Sequence, residues 1–489
     1  MLFNSYIFIL FFLPITFIIY FTLNRFHKYQ LAKFFLIGMS IWFYGYFTPT
    51  YILIIVGSIL FNYILSKQML PGKHRVQTTK FLLIFGIIVN ILLIFYFKYL
   101  NFFLDNINHL LHLKFDPLSI LMPLGISFFT FQQISYLVDS YRGETVAYTF
   151  IDYALFVSFF PQLIAGPIVL HNEMIPQFND NSKKNINCDM LAKGIYLFAI
   201  GLFKKVLLAD TLGLGVNWGY NNIAALSGMD ALLVSLMYTL QIYFDFSGYC
   251  DMAMGIANML NFDLPLNFNS PYKSTSIIEF WQRWHMTLTR FLRQYIYFPL
   301  GGNKHGFIKT SLNILVVFLV SGIWHGANWT FILWGLLHGI AQVLNRLFKK
   351  HWNAIPKAFR YTLTFCFINF TWIIFRANSL SDCKQFFSRF IYGWKNGITI
   401  HNSLLQCFDV IELTYIEEHI SFLTSLTGKF PSINMWLIFL TAFFIVFFIK
   451  NPHKKPFKAS LPNAILCIIL LVWSILSLSG LSTFLYFNF

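Results

Sequence analysis

Apolar residues run along this chain in long blocks, and short basic clusters punctuate them. Runs such as 81–97, 312–320 and 464–478 hold almost nothing but aliphatic and aromatic side chains. A hydrocarbon core about 30 Å thick takes about 20 apolar residues to cross as a helix, and roughly 11 to 13 segments of this kind can be counted. The pattern predicts an all-α polytopic membrane protein in one continuous body, with no internal repeat and no soluble domain. The first run, residues 2–23, has neither a basic leader nor a small-residue cleavage site and reads as a retained span.

The basic clusters set a topology. Arg25, Lys28 and Lys33 follow the first span, Lys67, Lys73, Arg75 and Lys80 precede the run from Phe81, and uncharged Pro49 lies at the turn between. Lys304 and Lys309, then Arg346, Lys349, Lys350, Lys357 and Arg360, then Lys450, Lys454, Lys455 and Lys458 repeat the arrangement with two apolar runs between successive clusters. Basic loops stay cytoplasmic, so both termini are expected outside, and 376–430, with Glu417 and Glu418, becomes an external loop.

Composition agrees. The chain is 57% hydrophobic and only 11% charged, with a mean hydropathy of +0.62, far from a soluble domain. Its net charge of +16 sits in the loop clusters rather than on one polar face, which argues against nucleic acid as the partner and for a lipid bilayer. The six cysteines, at 188, 250, 366, 383, 407 and 467, show no CxxC spacing, so no metal is expected on them.

Two histidines carry the candidate chemistry. His325 ends the apolar stretch "FLVSGIWHGANW" (318–329). The chain leaves the basic side near Thr310, and 15 helical residues rise only about 22 Å, which places His325 within the membrane profile. Such a residue is either a hydrogen-bonded structural histidine or a working one. His285 lies in "IIEFWQRWHMTLTRFLRQYI" (277–296), where Ile277, Trp281, Trp284, Leu288, Phe291 and Tyr295 fall within about 40° of one line and the arginines fall opposite. That spacing predicts an amphipathic interfacial helix with His285 about 80° from its apolar centre. A packing role, with arginines snorkelling to lipid, fits the same spacing. In "QIYFDFSGYCD", Asp245 and Asp251 fall on different helical faces and read as structural hydrogen-bonding groups around a break at Ser247-Gly248. No GxxxxGK[ST], HExxH, EF-hand or GxSxG motif occurs.

The stretches "FWQRWHMTLTRFLRQYIYFPLGGNKHG" (280–306) and "SGIWHGANWTFILWGLLHG" (321–339) resemble the signature pair of the membrane-bound O-acyltransferase superfamily, in its bacterial alginate and peptidoglycan O-acetyltransferase branch. "PLGISFFTFQQISYLVDSYRG" (123–143), "FPQLIAGPI" (160–168), "QIYFDFSGYCDMAMG" (241–255), "NFNSPYKSTS" (267–276) and "WIIFRANSL" (372–380) extend the likeness in family order. The resemblance implies many helices around a central tunnel, divided as N-terminal helices (1–120), catalytic core (121–380) and an external loop with C-terminal helices (381–489). It implies that His325 is the catalytic histidine and His285 a second motif histidine near the tunnel. The activity implied is transfer of acetyl groups from cytoplasmic acetyl-CoA across the cytoplasmic membrane for O-acetylation of an extracytoplasmic glycan, peptidoglycan or alginate-like, completed by an exported SGNH-type partner enzyme. No bound cofactor is expected. Arg283, Arg290, Arg293 and Lys304 are candidate contacts for the donor's phosphates. The terminal "FLYFNF" resembles the end of a companion peptide of teichoic acid D-alanylation, which makes Tyr486 a candidate acyl relay. D-alanyl transfer to teichoic acid, a transporter or flippase, and a non-enzymatic export scaffold are the rival readings.

Overall fold

A computed structural model describes residues 1–70, 75–395, 397–410, 414–415, 419, 430, 432–454, 457–478 and 484–485, and every regular element among them is helical. Among the described residues six helices are long and apolar enough to cross a membrane: Phe8–Arg25, Tyr51–Gln68, Val76–Leu111, Gly306–His325, Lys357–Arg376 and Ile433–Lys454. Leu461–Leu476 is a shorter apolar helix. Their outer faces are apolar: Phe81, Leu92, Ile308 and Leu476 are more than half exposed. A surface this greasy is stable against lipid and not against water. The chain is therefore a multi-pass membrane protein.

Six is fewer than the 11 to 13 segments counted from the sequence. Several of the remaining apolar runs form helices of 16 to 19 residues, among them Tyr29–Gly45, Cys188–Phe203 and Trp329–Leu347. The central helix, Gly228–Met259, is long enough at 32 residues, about 48 Å, but carries three acidic residues that lower its hydropathy. Nearly all of it is buried.

That helix runs without interruption through Ser247 and Gly248, so the expected break is absent. Gly248 is there because another backbone passes close by. A Cβ on Gly201 would stand 2.5 Å from the Gly248 carbonyl oxygen, and one on Gly255 would stand 2.7 Å from that of Gly194. Small residues at both crossings let Cys188–Phe203 and the central helix touch. The carboxylates meet ammonium groups from a π-helical turn, Lys204–Asp210. Lys204 Nζ lies 2.5 Å from Asp251, and Lys205 Nζ lies 2.7 Å from both Asp245 and Asp210. His453 Nε2 also reaches Asp251, at 2.8 Å. Charges this deep persist only when paired, and two neighbouring lysines serve two carboxylates on different faces.

The helix ending at His325 forms a tight hairpin with Trp329–Leu347. A Cβ on Gly322 would stand 2.4 Å from the Phe331 carbonyl oxygen, and one on Gly335 the same distance from that of Phe318. Asn328 caps the second helix by accepting from the Thr330 amide at 3.0 Å, and donates to the Asn378 carbonyl at 2.7 Å. The end of Lys357–Arg376 is thereby tied to the turn that follows His325. Trp281, Trp334, Trp372 and Trp284 follow one another in ring contact, with centroids 5.0–5.8 Å apart.

Candidate active site

His325 is the last residue of its helix; Gly326, at φ −172°, leaves in extended backbone. The imidazole is 3% exposed and edged by the rings of Trp324, Trp334 and Phe375 at 4.9, 5.0 and 5.2 Å. The last carbonyls of a helix have no partner within it. Here they accept from another span: Tyr99 Oη donates to Ile323 at 2.6 Å, and Lys98 Nζ to Trp324 at 2.7 Å and His325 at 3.1 Å.

His285 departs from the sequence expectation. The segment 277–296 is no single amphipathic helix: Ile277–Trp281 and Met286–Leu292 are separate short helices, followed by a π-helical turn Arg293–Tyr297. His285 joins the first two at φ 45°, ψ 52°, a left-handed conformation that non-glycine residues rarely adopt. Flanking backbone holds it, with the Met286 amide donating to the Asn267 carbonyl at 3.0 Å and the Asn269 amide to the Arg283 carbonyl at 2.9 Å. Instead of lying on a border, the ring is wholly buried. Its Nδ1 lies 3.2 Å from Asn267 Oδ1, which also accepts from the Thr287 amide and hydroxyl at 3.2 and 2.9 Å. An acceptor fixed by a backbone N–H requires Nδ1 to carry the proton, and the neutral ring then keeps its lone pair at Nε2.

The Trp324 ring touches both imidazoles, with centroids 5.9 Å from His285 and 4.9 Å from His325. A third histidine, His338, escaped the sequence reading although it sits in the same apolar stretch. It is fully buried, accepts from Trp281 Nε1 at 3.1 Å, and meets Thr371 Oγ1 at 3.1 Å. Thr371 passes its own proton to the Ile368 carbonyl, so His338 Nε2 donates and both ring nitrogens are satisfied. His338 is a structural bridge.

Two cavities share Lys98 and Met122 in their walls, and the smaller one reaches His325. One, of about 1720 Å³, is walled by Lys98, Gln241, Gly326, Asn328, Phe375 and Arg376, among others. The other, about 30 Å³, lies against His325, Trp324, Lys98, Gly125, Ser127 and Ile164. Lys98 borders both.

Arg283 pairs with Glu279 at 2.6 Å, and Arg290 pairs with Glu173 and donates to the Ile168 carbonyl, whereas Arg293 and Lys304 are exposed. Tyr486 lies outside the described residues. Just before it, the Leu485 amide donates to Asp245 Oδ2 at 3.1 Å, and Phe484 packs edge-on against Tyr249 at 4.4 Å with the Lys205 ammonium 4.7 Å from its ring centre. Leu485 borders the large cavity.

Comparison with known proteins matches residues 119–382 to the family model of the membrane-bound O-acyltransferase family. Over 523 aligned positions the chain is 38% identical to the peptidoglycan O-acetyltransferase of Helicobacter pylori, covering 100% of this chain and 98% of that protein. It is 38% identical to a probable alginate O-acetylase of Pseudomonas aeruginosa, over 80% of this chain and 75% of that one. It is 29% identical to the teichoic acid D-alanyltransferase of Bacillus subtilis, over 53% of this chain and 70% of that protein. The chain thus belongs to the membrane-bound O-acyltransferase family and is an O-acyltransferase.

Proposed function

We propose that this protein takes acetyl groups from acetyl-CoA at the cytoplasmic face of the cell membrane and hands them across for O-acetylation of a cell-wall glycan, with peptidoglycan as the acceptor. The observation that carries this reading is the position of His325, a buried imidazole at a helix end where two cavities approach each other. The end-to-end likeness to a peptidoglycan O-acetyltransferase supports the acceptor.

In this account His325 acts as general base, taking the proton of the attacking hydroxyl as its oxygen bonds to the thioester carbonyl carbon. The C–S bond then breaks, and the imidazolium returns the proton to the departing thiolate, leaving an ester and a free thiol. His285, oriented through Nδ1 by Asn267, supports the site from across Trp324. Of the basic candidates, the exposed Arg293 and Lys304 suit the donor's phosphates better than Arg283 and Arg290, whose guanidinium groups already face carboxylates. Tyr486, following the docked Phe484 and Leu485, is the proposed relay to an exported SGNH-type partner, with both termini outside. The test is complementation of a strain lacking the chain: His325→Ala, present at the wild-type level, should leave base-labile acetate on peptidoglycan at least about 100-fold lower. Wild-type acetylation in that strain would exclude the catalytic role.

A further inference from the structure

The span Val76–Leu111 places Lys98 in the walls of both cavities. Lys98 sits in a π-helical turn, Phe95–Tyr99, set between two α-helical stretches; such bulges re-aim side chains and recur at functional sites. A lysine inside an otherwise apolar span is costly unless it serves a purpose. One purpose is plain: Nζ caps the carbonyls of Trp324 and His325. Capping does not require the charge, and it uses two of three protons. Among the described residues no carboxylate pairs with Lys98, and its Nζ stands 6.0 Å from the ring centres of Tyr99 and Trp324. It is also the only charged side chain among those lining the small pocket.

We infer that Lys98 is a catalytic residue that donates its third N–H to the acyl carbonyl oxygen as the hydroxyl adds beside His325. When the hydroxyl oxygen bonds to the carbonyl carbon, the C=O π pair moves onto oxygen, and the negative charge forms next to the ammonium. When the C–S bond breaks, that pair returns and the thiolate leaves with the proton that His325 had taken; Lys98 neither gains nor loses a proton. A protonated Lys98 in a pocket with few other polar groups stabilises this oxyanion far more than water does. The inference rests on the acyl-transfer reading, and the experiment separates the two.

Purified full-length chain, assayed for thioester loss from acetyl-CoA, should lose about 100-fold in kcat on Lys98→Gln, with KM for acetyl-CoA within about threefold of wild type. The glutamine amide offers two protons to the same two carbonyls but no charge, so a capping role alone leaves kcat near wild type, and that result overturns the inference. Lys98→Cys provides the second arm. Alkylation with 2-bromoethylamine, which restores an ammonium at nearly the same reach, should rescue activity at least tenfold more than iodoacetamide, which installs a neutral amide. Wild-type chain treated in parallel controls for the native cysteines. Equal rescue by both reagents, or by neither, overturns the proposal. If His325→Ala is inactive while Lys98→Gln is fully active, only the assignment of Lys98 fails; if His325→Ala is active, the parent reading fails.

Discussion

Asn267 fixes how the second histidine is held. Its side-chain oxygen takes three donors, from His285 Nδ1 and from the Thr287 amide and hydroxyl, and that hydroxyl in turn accepts from the Ile168 amide at 3.0 Å. Each buried donor left without its acceptor costs about 1–3 kcal/mol. Asn267→Ala should therefore lower the melting temperature in detergent and slow acyl transfer together, because the His285 ring loses the contact that fixes its proton on Nδ1. An unchanged melting temperature would show that this network contributes nothing. His325 stands out in the sequence as a candidate because an ionisable ring interrupts an apolar run next to a glycine. His338 interrupts the same run in the same way, and only its partners, Trp281 and Thr371, reveal that it is structural. Lys98 was not legible at all: a lysine at the end of an apolar run reads as a topology signal until the carbonyls of a distant helix are found against it.

Among the elements, the crossing of Cys188–Phe203 with the central helix makes the sharpest prediction. At Gly201 even a methyl group meets backbone, 2.5 Å from the Gly248 carbonyl oxygen and 2.6 Å from the Met252 amide nitrogen. Gly201→Ala must push the two helices apart and should cost about 1–3 kcal/mol. Gly38, also helical but with nothing within 4 Å of a built Cβ, should accept alanine without loss and gain as much as about 1 kcal/mol of helix propensity. Thermal unfolding of the two variants side by side checks the contrast, and equal behaviour would contradict the close crossing. The helix through 247–248 was misread from sequence because a Ser-Gly pair looks the same at a break and at a close approach. The segment 277–296 was misread because one left-handed residue leaves the four-and-three spacing of its aromatics intact while splitting the helix. Local pattern does not contain the backbone of 267–269, which holds that residue in place.

At the scale of the whole molecule, class and family were plain from long apolar runs and motifs in order, whereas the number of spans was not. Helices buried inside the protein carry apolar residues as lipid-facing ones do, and the central helix hides its acids by pairing them with Lys204, Lys205 and His401. The two cavities take their walls from segments far apart in the chain, such as Lys98 with Trp324 and Gln241 with Arg376, a meeting that no window of sequence displays. The central claim concerns the molecule as a whole: an acyl group crosses the membrane through chemistry at His325 rather than by carriage of an intact donor. Sealed membrane vesicles of known sidedness, given acetyl-labelled CoA at the cytoplasmic face alone, test it directly. The account predicts ester-bound label on glycan at the opposite face with the wild-type chain and at least about 100-fold less with His325→Gln; label at the wild-type level with His325→Gln, or intact acetyl-CoA recovered on the far side, would contradict it.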